Sequence, residues 1–208
     1  MFKKALFILT LFTLANCGHV ILVPPEIDLT PHKSVGLISF SIENAEGQLE
    51  ELATQRFLQV ITRFQTEIEV IELGTIDEVL GKVNKKTLDY ESTKDIGEFF
   101  NVASFFYGEI KVSDVKPHID IAALIRSLRI RASFDISMTS RLFSSETGAT
   151  LWTDSSDRKG TLAFLSMSKD RLPYFDIRDQ DETYKRLIED LIYDLTRDFR
   201  PSKRRVRR

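Results

Sequence analysis

The stretch 130–142, IRASFDISMTSRL, is the part of the sequence that decides the fold. Every second residue from Ile130 to Met138 is apolar, and the residues between them are polar or charged. Successive side chains of a β-strand point to opposite faces, so this period of two predicts a strand with one buried face and one face in water. Such a pattern is typical of an antiparallel sheet.

The flanking sequence predicts the other elements by the same reasoning. Short apolar or β-branched runs predict strands at 35–42, 68–73, 103–112 and 149–154, with a turn at 144–148. Apolar residues at helical spacing predict helices at 47–64, 76–83, 92–101 and 179–199. Residues 113–128 and 155–178 are predicted to be a connection and an irregular segment. The order β-α-β-α-α-β-β-β-α predicts an α+β fold, with helices packed on a mixed sheet of about four to five strands.

Three helix starts carry recognisable signals. Thr75, with Glu78 three residues later, predicts a capping box, and Ser92 is predicted to cap the next helix. The acidic residues Asp179, Asp181 and Glu182 at the start of the last helix are interpreted as capping and helix-dipole residues.

Residues 1–16, MFKKALFILTLFTLAN, have the features of a secretory signal peptide. Lys3 and Lys4 precede an apolar run of 11 residues, Ala5 to Ala15. That run is shorter than the ~20 residues that a spanning helix needs. Removal of this segment is therefore expected.

The only cysteine of the chain directly follows this segment. Leu14-Ala15-Asn16-Cys17 resembles the bacterial lipobox and departs from it at Asn16, where Gly, Ala or Ser is usual. The resemblance implies that Cys17 carries a diacylglycerol and an amide-linked acyl chain such as palmitate. The alternative is that Cys17 is a small apolar residue at the end of an ordinary signal or of an uncleaved anchor. Gly18, where Asp commonly retains lipoproteins in the inner membrane, implies the periplasmic face of the outer membrane.

The C-terminal end of the mature chain differs in charge from the rest of it. Residues 17–34 are predicted to be a lipidated N-terminus and an extended, proline-containing tether, and 35–199 a periplasmic domain. The segment 197–208 has seven basic residues and one acidic residue, whereas 17–196 has 20 basic and 30 acidic residues. The tail 200–208 is predicted to contact anionic lipid or an acidic envelope partner, rather than nucleic acid, through Lys203, Arg204, Arg205, Arg207 and Arg208. The alternative is a solvated tail without structure.

The residues that most often perform chemistry are sparse. One cysteine excludes an intramolecular disulfide, and His19, His32 and His118 have no metal-ligand spacing. No Gly-rich phosphate loop or nucleophile elbow occurs. We therefore predict no metal, no cofactor, no small-molecule substrate and no catalytic residue. His118 is interpreted as a surface-loop histidine, and the pair Tyr174-Phe175 as a loop that is either a contact point or buried.

Three local patterns of the body resemble one family of periplasmic domains. They are the opening strand Val35-Gly-Leu-Ile-Ser-Phe40, the passage Phe100-Asn-Val-Ala-Ser-Phe-Phe-Tyr-Gly-Glu-Ile110, and Phe134 to Trp152 with Ser145-Glu-Thr-Gly148 between two strands. They are similar to the domain shared by the curli-secretion lipoprotein CsgG, the penicillin-binding-protein activator LpoB and the N-terminal domain of TolB.

The resemblance implies a non-enzymatic envelope lipoprotein that binds a protein partner in assembly or transport. One alternative is a subunit of an outer-membrane secretion pore. It is disfavoured because 113–128 is too short for a membrane hairpin, and because 155–178 lacks clean alternation and contains Pro173. The other alternative is an envelope enzyme that acts on lipid or glycan.

Overall fold

A computed structural model describes residues 19–43, 49–120, 127–168, 171–177 and 179–206. The described strands are β1 (His19–Val23), β2 (Ser34–Ile38), β3 (Ser41–Glu43), β4 (Glu69–Gly74), β5 (Ser104–Val112), β6 (Lys116–Asp120), β7 (Ser127–Ser144), β8 (Thr150–Ser168), β9 (Arg171–Ile177) and β10 (Ser202–Val206). The described α-helices are α1 (Leu49–Phe64), α2 (Ile76–Lys82), α3 (Tyr90–Phe100) and α4 (Gln180–Leu195). Short 3₁₀ turns cover Thr30–His32 and Arg197–Phe199.

Eight of these strands form one mixed sheet, which confirms the predicted α+β class. Its order is β4-β2-β5-β7-β8-β9, and β3 and β6 pair with β5 and β7 respectively. The pairs among β4, β2 and β5 are parallel, whereas β5-β7, β7-β8 and β8-β9 are antiparallel. The remaining two strands, β1 and β10, form a separate two-stranded sheet.

Helices cover both faces of the large sheet. The neighbouring residues Phe105 and Phe106 are both fully buried and belong to two different apolar clusters. Phe106 packs with residues of α1 and α4, and Phe105 with residues of α2 and α3. This division follows from the alternation of side chains along β5. The same alternation buries Phe134, Ile136 and Met138 in β7, as the period of two predicted.

The helix starts agree with the sequence at two places and differ at a third. Thr75 forms the predicted capping box with Glu78, and the Asp179 carboxylate accepts a hydrogen bond from the Glu182 N–H at 3.1 Å. The prediction that Ser92 caps α3 is wrong. Asp89 caps this helix, and Ser92 is the third helical residue, whose hydroxyl accepts from the Asp89 N–H at 2.7 Å.

The two segments predicted to lack regular structure contain strands. Residues 113–128 include β6, and 155–178 include the second half of β8 and all of β9. His118 therefore lies in a strand, paired with Arg131, and Tyr174 and Phe175 lie in β9, so the three loop assignments are wrong. β6 and the second half of β8 are set by pairing with β7, whose partners in β8 extend from Ser168 to Thr150. β9 is set in turn by pairing with β8.

Candidate membrane interface

The N-terminal and C-terminal segments meet in an antiparallel ribbon, defined here as β1 and β10. Its register pairs His19 with Val206 at one end and Val23 with Ser202 at the other. Residues that the sequence assigned to a tether and to a tail thus form one structured element. The alternative of a tail without structure does not hold for 202–206, because each of these residues has a partner in β1.

The ribbon combines an apolar strand with a basic strand. Val20, Ile21 and Leu22 are 57%, 40% and 68% exposed, and Lys203, Arg204 and Arg205 are all exposed. Directly paired residues of an antiparallel ribbon lie on the same face. Val20 with Arg205 and Leu22 with Lys203 therefore share one face, and Ile21 with Arg204 lies on the other. Each face carries apolar and cationic groups side by side, a combination that suits the boundary between headgroups and acyl chains.

The predicted lipid-attachment residue is adjacent to this ribbon in sequence. Cys17 precedes the pair His19–Val206 by two positions, and Arg207 and Arg208 follow that pair directly. Cys17, Arg207, Arg208 and the predicted signal 1–16 lie outside the described residues. Of the predicted tail contacts, the structure places Lys203, Arg204 and Arg205 together on β10.

Gln65, at the C-terminal end of α1, holds the two segments next to the ribbon, 27–29 after β1 and 197–199 before β10. We call these two segments the ribbon base. It is 6% exposed. Its amide nitrogen donates to the backbone oxygens of Ile27 and Phe199, both at 3.0 Å, and its amide oxygen accepts from the Leu29 N–H at 3.0 Å. One side chain thereby binds the segment that follows β1 and the segment that precedes β10. Sequence analysis missed this role, because a glutamine after a helix carries no local signal for it.

Apolar packing supports the same base. The ring of Phe199 packs against Trp152 at 4.7 Å and against Phe106 at 5.4 Å between centroids. The Trp152 indole donates to the Asp198 carboxylate at 3.1 Å, and the Asp198 backbone oxygen accepts from the Ile27 N–H at 3.0 Å. The predicted extended tether is therefore packed on the domain from Ile27 to Leu29, and Leu29 is fully buried.

Near the ribbon base lie a cation–π pair and a carboxyl group whose pKa is lowered. The Arg200 guanidinium lies 3.7 Å from the centroid of the exposed Tyr193 ring, and its side chain donates to the Thr196 backbone oxygen at 3.2 Å. Hydrogen bonds from Thr30 lower the pKa of Asp28. Because residues 199–208 contain no acidic residue, the basic side chains of β10 have no carboxylate near them in sequence.

We also searched the described residues for a ligand groove, a metal site and a membrane-spanning helix. A surface groove of about 520 Å³ is lined by residues that include His32, Lys94, Glu98 and Glu146. Within the described ranges, no group of three or more His, Cys, Asp and Glu side chains could hold a metal ion. No helix in the described part of the chain is both long enough and apolar enough to cross a bilayer.

Comparison with known proteins finds likeness in structure rather than in sequence. No family model matches the chain, and no curated protein matches its sequence. The PelC dodecamer from Paraburkholderia phytofirmans has a TM-score of 0.48 at 12% identity, covering 87% of this chain and 98% of that chain. Lipoprotein GNA1162 from Neisseria meningitidis has a TM-score of 0.40 at 11% identity, covering 78% and 97%.

The LpoB C-terminal domain from Escherichia coli is also similar, with a TM-score of 0.38 at 8% identity over 61% of this chain and 82% of that chain. The structural neighbours thus include lipoproteins and LpoB, one of the three proteins whose domain the local patterns resemble.

Proposed function

We propose that this chain is a non-enzymatic lipoprotein of the bacterial cell envelope, anchored through acylated Cys17, whose domain binds an envelope protein at the membrane surface. The observation that carries the proposal is the β1–β10 ribbon, because it joins the residues next to Cys17 to the basic C-terminal strand. The acyl chains hold the protein in the bilayer, and Gly18 in place of Asp supports the periplasmic face of the outer membrane.

The ribbon shortens the distance that the domain can move away from its lipid anchor. A free tether of 17 residues would let the domain move up to roughly 55 Å from the membrane. β1 is paired with β10, Ile27 to Leu29 are packed on the domain, and Gly18 is the one residue between Cys17 and β1 in the sequence. The domain is therefore held within a ribbon's length of the surface, about 16 Å for five residues. Exposed Val20 and Leu22 can enter the headgroup region, while Lys203 and Arg205 bind anionic headgroups.

The anchor gives the first prediction. We expect mass spectrometry of the protein from cell membranes to find a mature N-terminal peptide that begins at Cys17 and carries a diacylglycerol and an amide-linked acyl chain. The variant C17S removes the thiol and should lack both. G18A keeps the lipobox cysteine and should be acylated as the wild type is, whereas G18D should move the acylated protein to the inner-membrane fraction. An unmodified Cys17 thiol in the wild type would contradict the anchor.

The protein-binding role gives the second prediction. Cross-linking in intact cells, followed by purification of the acylated chain, should yield one envelope protein in a constant ratio to this chain. The acylated C-terminal truncation that ends at Pro201 lacks β10 and serves as the comparison, because it keeps Cys17 but loses the ribbon. A lower cross-linked yield with this truncation is expected. Turnover of an envelope lipid or glycan by the purified protein, without any stable protein partner, would instead favour the enzyme.

A further inference from the structure

The helices α1, α3 and α4 finish at one end of the domain, the end from which the ribbon leaves. We call it the ribbon end and define it by 27–34, 63–66, 99–104 and 193–200. The parallel strands β4, β2 and β5 begin there, and α1 and α3 come directly before β4 and β5 in the chain. The C-terminal ends of these two helices therefore lie where the strands begin. α4 leads directly into the ribbon base.

Hydrogen bonds place these helix ends close to the ribbon base. After α3, the Ala103 N–H donates to the backbone oxygen of Ser34, the first residue of β2, at 3.2 Å. Before β4, the Glu69 N–H donates to the backbone oxygen of Lys33 at 2.8 Å. After α1, Gln65 binds both segments of the ribbon base. The helix ends therefore lie around the point from which the ribbon leaves.

Each of the three helix ends carries an aromatic ring with a basic side chain packed against it. In such a cation–π contact the cation lies within about 6 Å of the ring centroid. Each ring belongs to the last turn of its helix. The pairs are Phe64 with Arg63 at 5.4 Å, Phe100 with Lys82 of α2 at 5.2 Å, and Tyr193 with Arg200 at 3.7 Å.

Aromatic rings at the ribbon end are exposed to water. Phe64 is 36% exposed and Tyr193 is 64% exposed. Phe99, whose ring packs edge to face on Phe100 at 5.0 Å between centroids, is 58% exposed. Removing apolar area from water is favourable in proportion to that area. A surface that covers the helix ends therefore gains free energy from rings that the fold itself leaves uncovered.

The predicted anchor indicates which surface covers them. Cys17 comes two residues before His19, the first residue of β1, and β1 belongs to the ribbon that leaves this end of the domain. With Cys17 acylated, the ribbon end is the end of the domain that faces the bilayer, and this step rests on the proposed function. A ribbon that lies along the surface brings the helix ends into the headgroup region. The exposed rings then meet lipid.

The charges at the ribbon end match those of phospholipid headgroups. Its carboxylates include Asp28 and Glu67, which line a groove of about 270 Å³ beside Phe64, and Glu98 and Glu146, which line the groove of about 520 Å³. The basic side chains of the cation–π pairs lie beside these grooves. A zwitterionic headgroup offers a phosphate to basic groups and an ammonium to carboxylates, and an anionic headgroup adds attraction for the basic groups. The ribbon end therefore complements a bilayer that contains both kinds of lipid.

We infer that the ribbon end is itself a membrane-binding surface, and that its ligand is the headgroup layer of the anchoring bilayer. The rings of Phe64, Phe99 and Tyr193 lie at the level of the headgroups, where aromatic side chains of membrane proteins are enriched. The basic side chains beside them reach the phosphates while their apolar stems stay against the rings. The ribbon and the helix ends together hold the domain in one orientation, with the opposite ends of β2, β4 and β5 pointing away from the membrane.

A fluorescent maleimide on cysteines placed singly at the two ends of the domain tests this orientation. F64C, F99C and Y193C lie at the ribbon end, whereas V115C and D77C lie in exposed positions beyond the opposite ends of β5 and β4. The full acylated protein is reconstituted in vesicles of phosphatidylethanolamine and phosphatidylglycerol that contain a lipid with a nitroxide on its headgroup. The nitroxide quenches fluorophores at headgroup level. We expect quenching at the three ribbon-end positions and none at the two opposite positions.

The Cys17 thiol separates failure of the anchor from failure of the inference. An acylated Cys17 has no free thiol, so the wild type should take up no fluorophore. Where the wild type does react, the labels are placed in the C17S chain and read on the same vesicles. Quenching at the ribbon end alone again supports the inference, whereas quenching at neither end, or equally at both ends, overturns it.

Removal of the rings supplies an independent readout. In the acylated protein labelled at Y193C, F64S/F99S should lower the quenching at least about 2-fold, because two rings that bury apolar area among the headgroups are gone. V115S is the control, since it removes an apolar side chain that is 46% exposed at the opposite end, and it should leave the quenching unchanged. Circular dichroism should be the same for all variants. Unchanged quenching in F64S/F99S, or bismaleimide cross-links between copies at Y193C without quenching, would overturn the inference.

Discussion

Replacing Lys203, Arg204 and Arg205 together by glutamine is expected to weaken binding of the non-acylated chain to anionic vesicles by about 100-fold. A basic residue near an anionic surface contributes about 1 kcal/mol, so three contribute about 3 kcal/mol. All three side chains are exposed on β10, and their paired residues in β1 are apolar. The loss should therefore come from the electrostatic part of binding, while the apolar part from Val20 and Leu22 remains.

The measurement is sedimentation of residues 17–208, carrying C17S, with vesicles of phosphatidylglycerol and phosphatidylcholine. The matched control replaces three exposed basic residues far from the ribbon, in the variant K86Q/K185Q/R186Q. It changes the net charge by the same amount and should bind nearly as the wild type does. Wild-type binding should also fall as salt is added, since exposed charges are screened within about 10 Å at 0.1 M. Equal loss in both variants would show that only total charge matters and would remove the ribbon as a specific interface.

Local patterns in the sequence predicted those parts of the fold whose cause is local. The alternation along 130–138 predicted the strand, and it predicted the burial of Phe134, Ile136 and Met138. Gly148, predicted to be in the turn between two strands, has a φ of +67°, in the left-handed region that glycine adopts readily. The capping box of Thr75 and Glu78 needs only four residues, and it is present as predicted.

Elements that depend on distant partners could not be predicted in this way. Residues 155–159, SSDRK, have low β-propensity and were predicted to be irregular, yet they form the middle of β8. They are a strand because β7 pairs with them residue by residue, from Thr139 opposite Ser155 to Asp135 opposite Lys159. A tertiary pairing thus overrides a local preference.

The candidate interface was predicted in part for the same reason. The basic residues of the tail and the position of Cys17 are visible in the sequence, and they led to a membrane-contact prediction. The pairing of β1 with β10 was missed, although the run Val20-Ile21-Leu22-Val23 is itself typical of a strand. Its partner lies at the other end of the chain, and nothing in either segment alone specifies that register.

Replacing Gln65 by leucine is expected to release both terminal segments from the domain. The substitution removes three hydrogen bonds and leaves the Leu29 N–H and the Phe199 and Ile27 backbone oxygens without that partner. Each buried polar group left unsatisfied costs ~1–3 kcal/mol. Two of these hydrogen bonds are buried, so the change should cost about 2–6 kcal/mol at the ribbon base. Because such a cost exceeds what a two-stranded ribbon contributes by itself, local detachment is expected before the large sheet unfolds.

Hydrogen–deuterium exchange of residues 17–208 measures this release directly. In Q65L the amides of 19–29 and 199–206 should exchange faster, while those of β5 and β7 should keep their protection. Q59L is the matched control, because Gln59 is an exposed residue of α1 whose amide oxygen accepts a hydrogen bond from the neighbouring Arg56 side chain at 3.0 Å. It should leave the exchange of both termini unchanged. Faster exchange throughout the large sheet in Q65L, with no larger change at the termini, would mean that Gln65 supports the core rather than the ribbon.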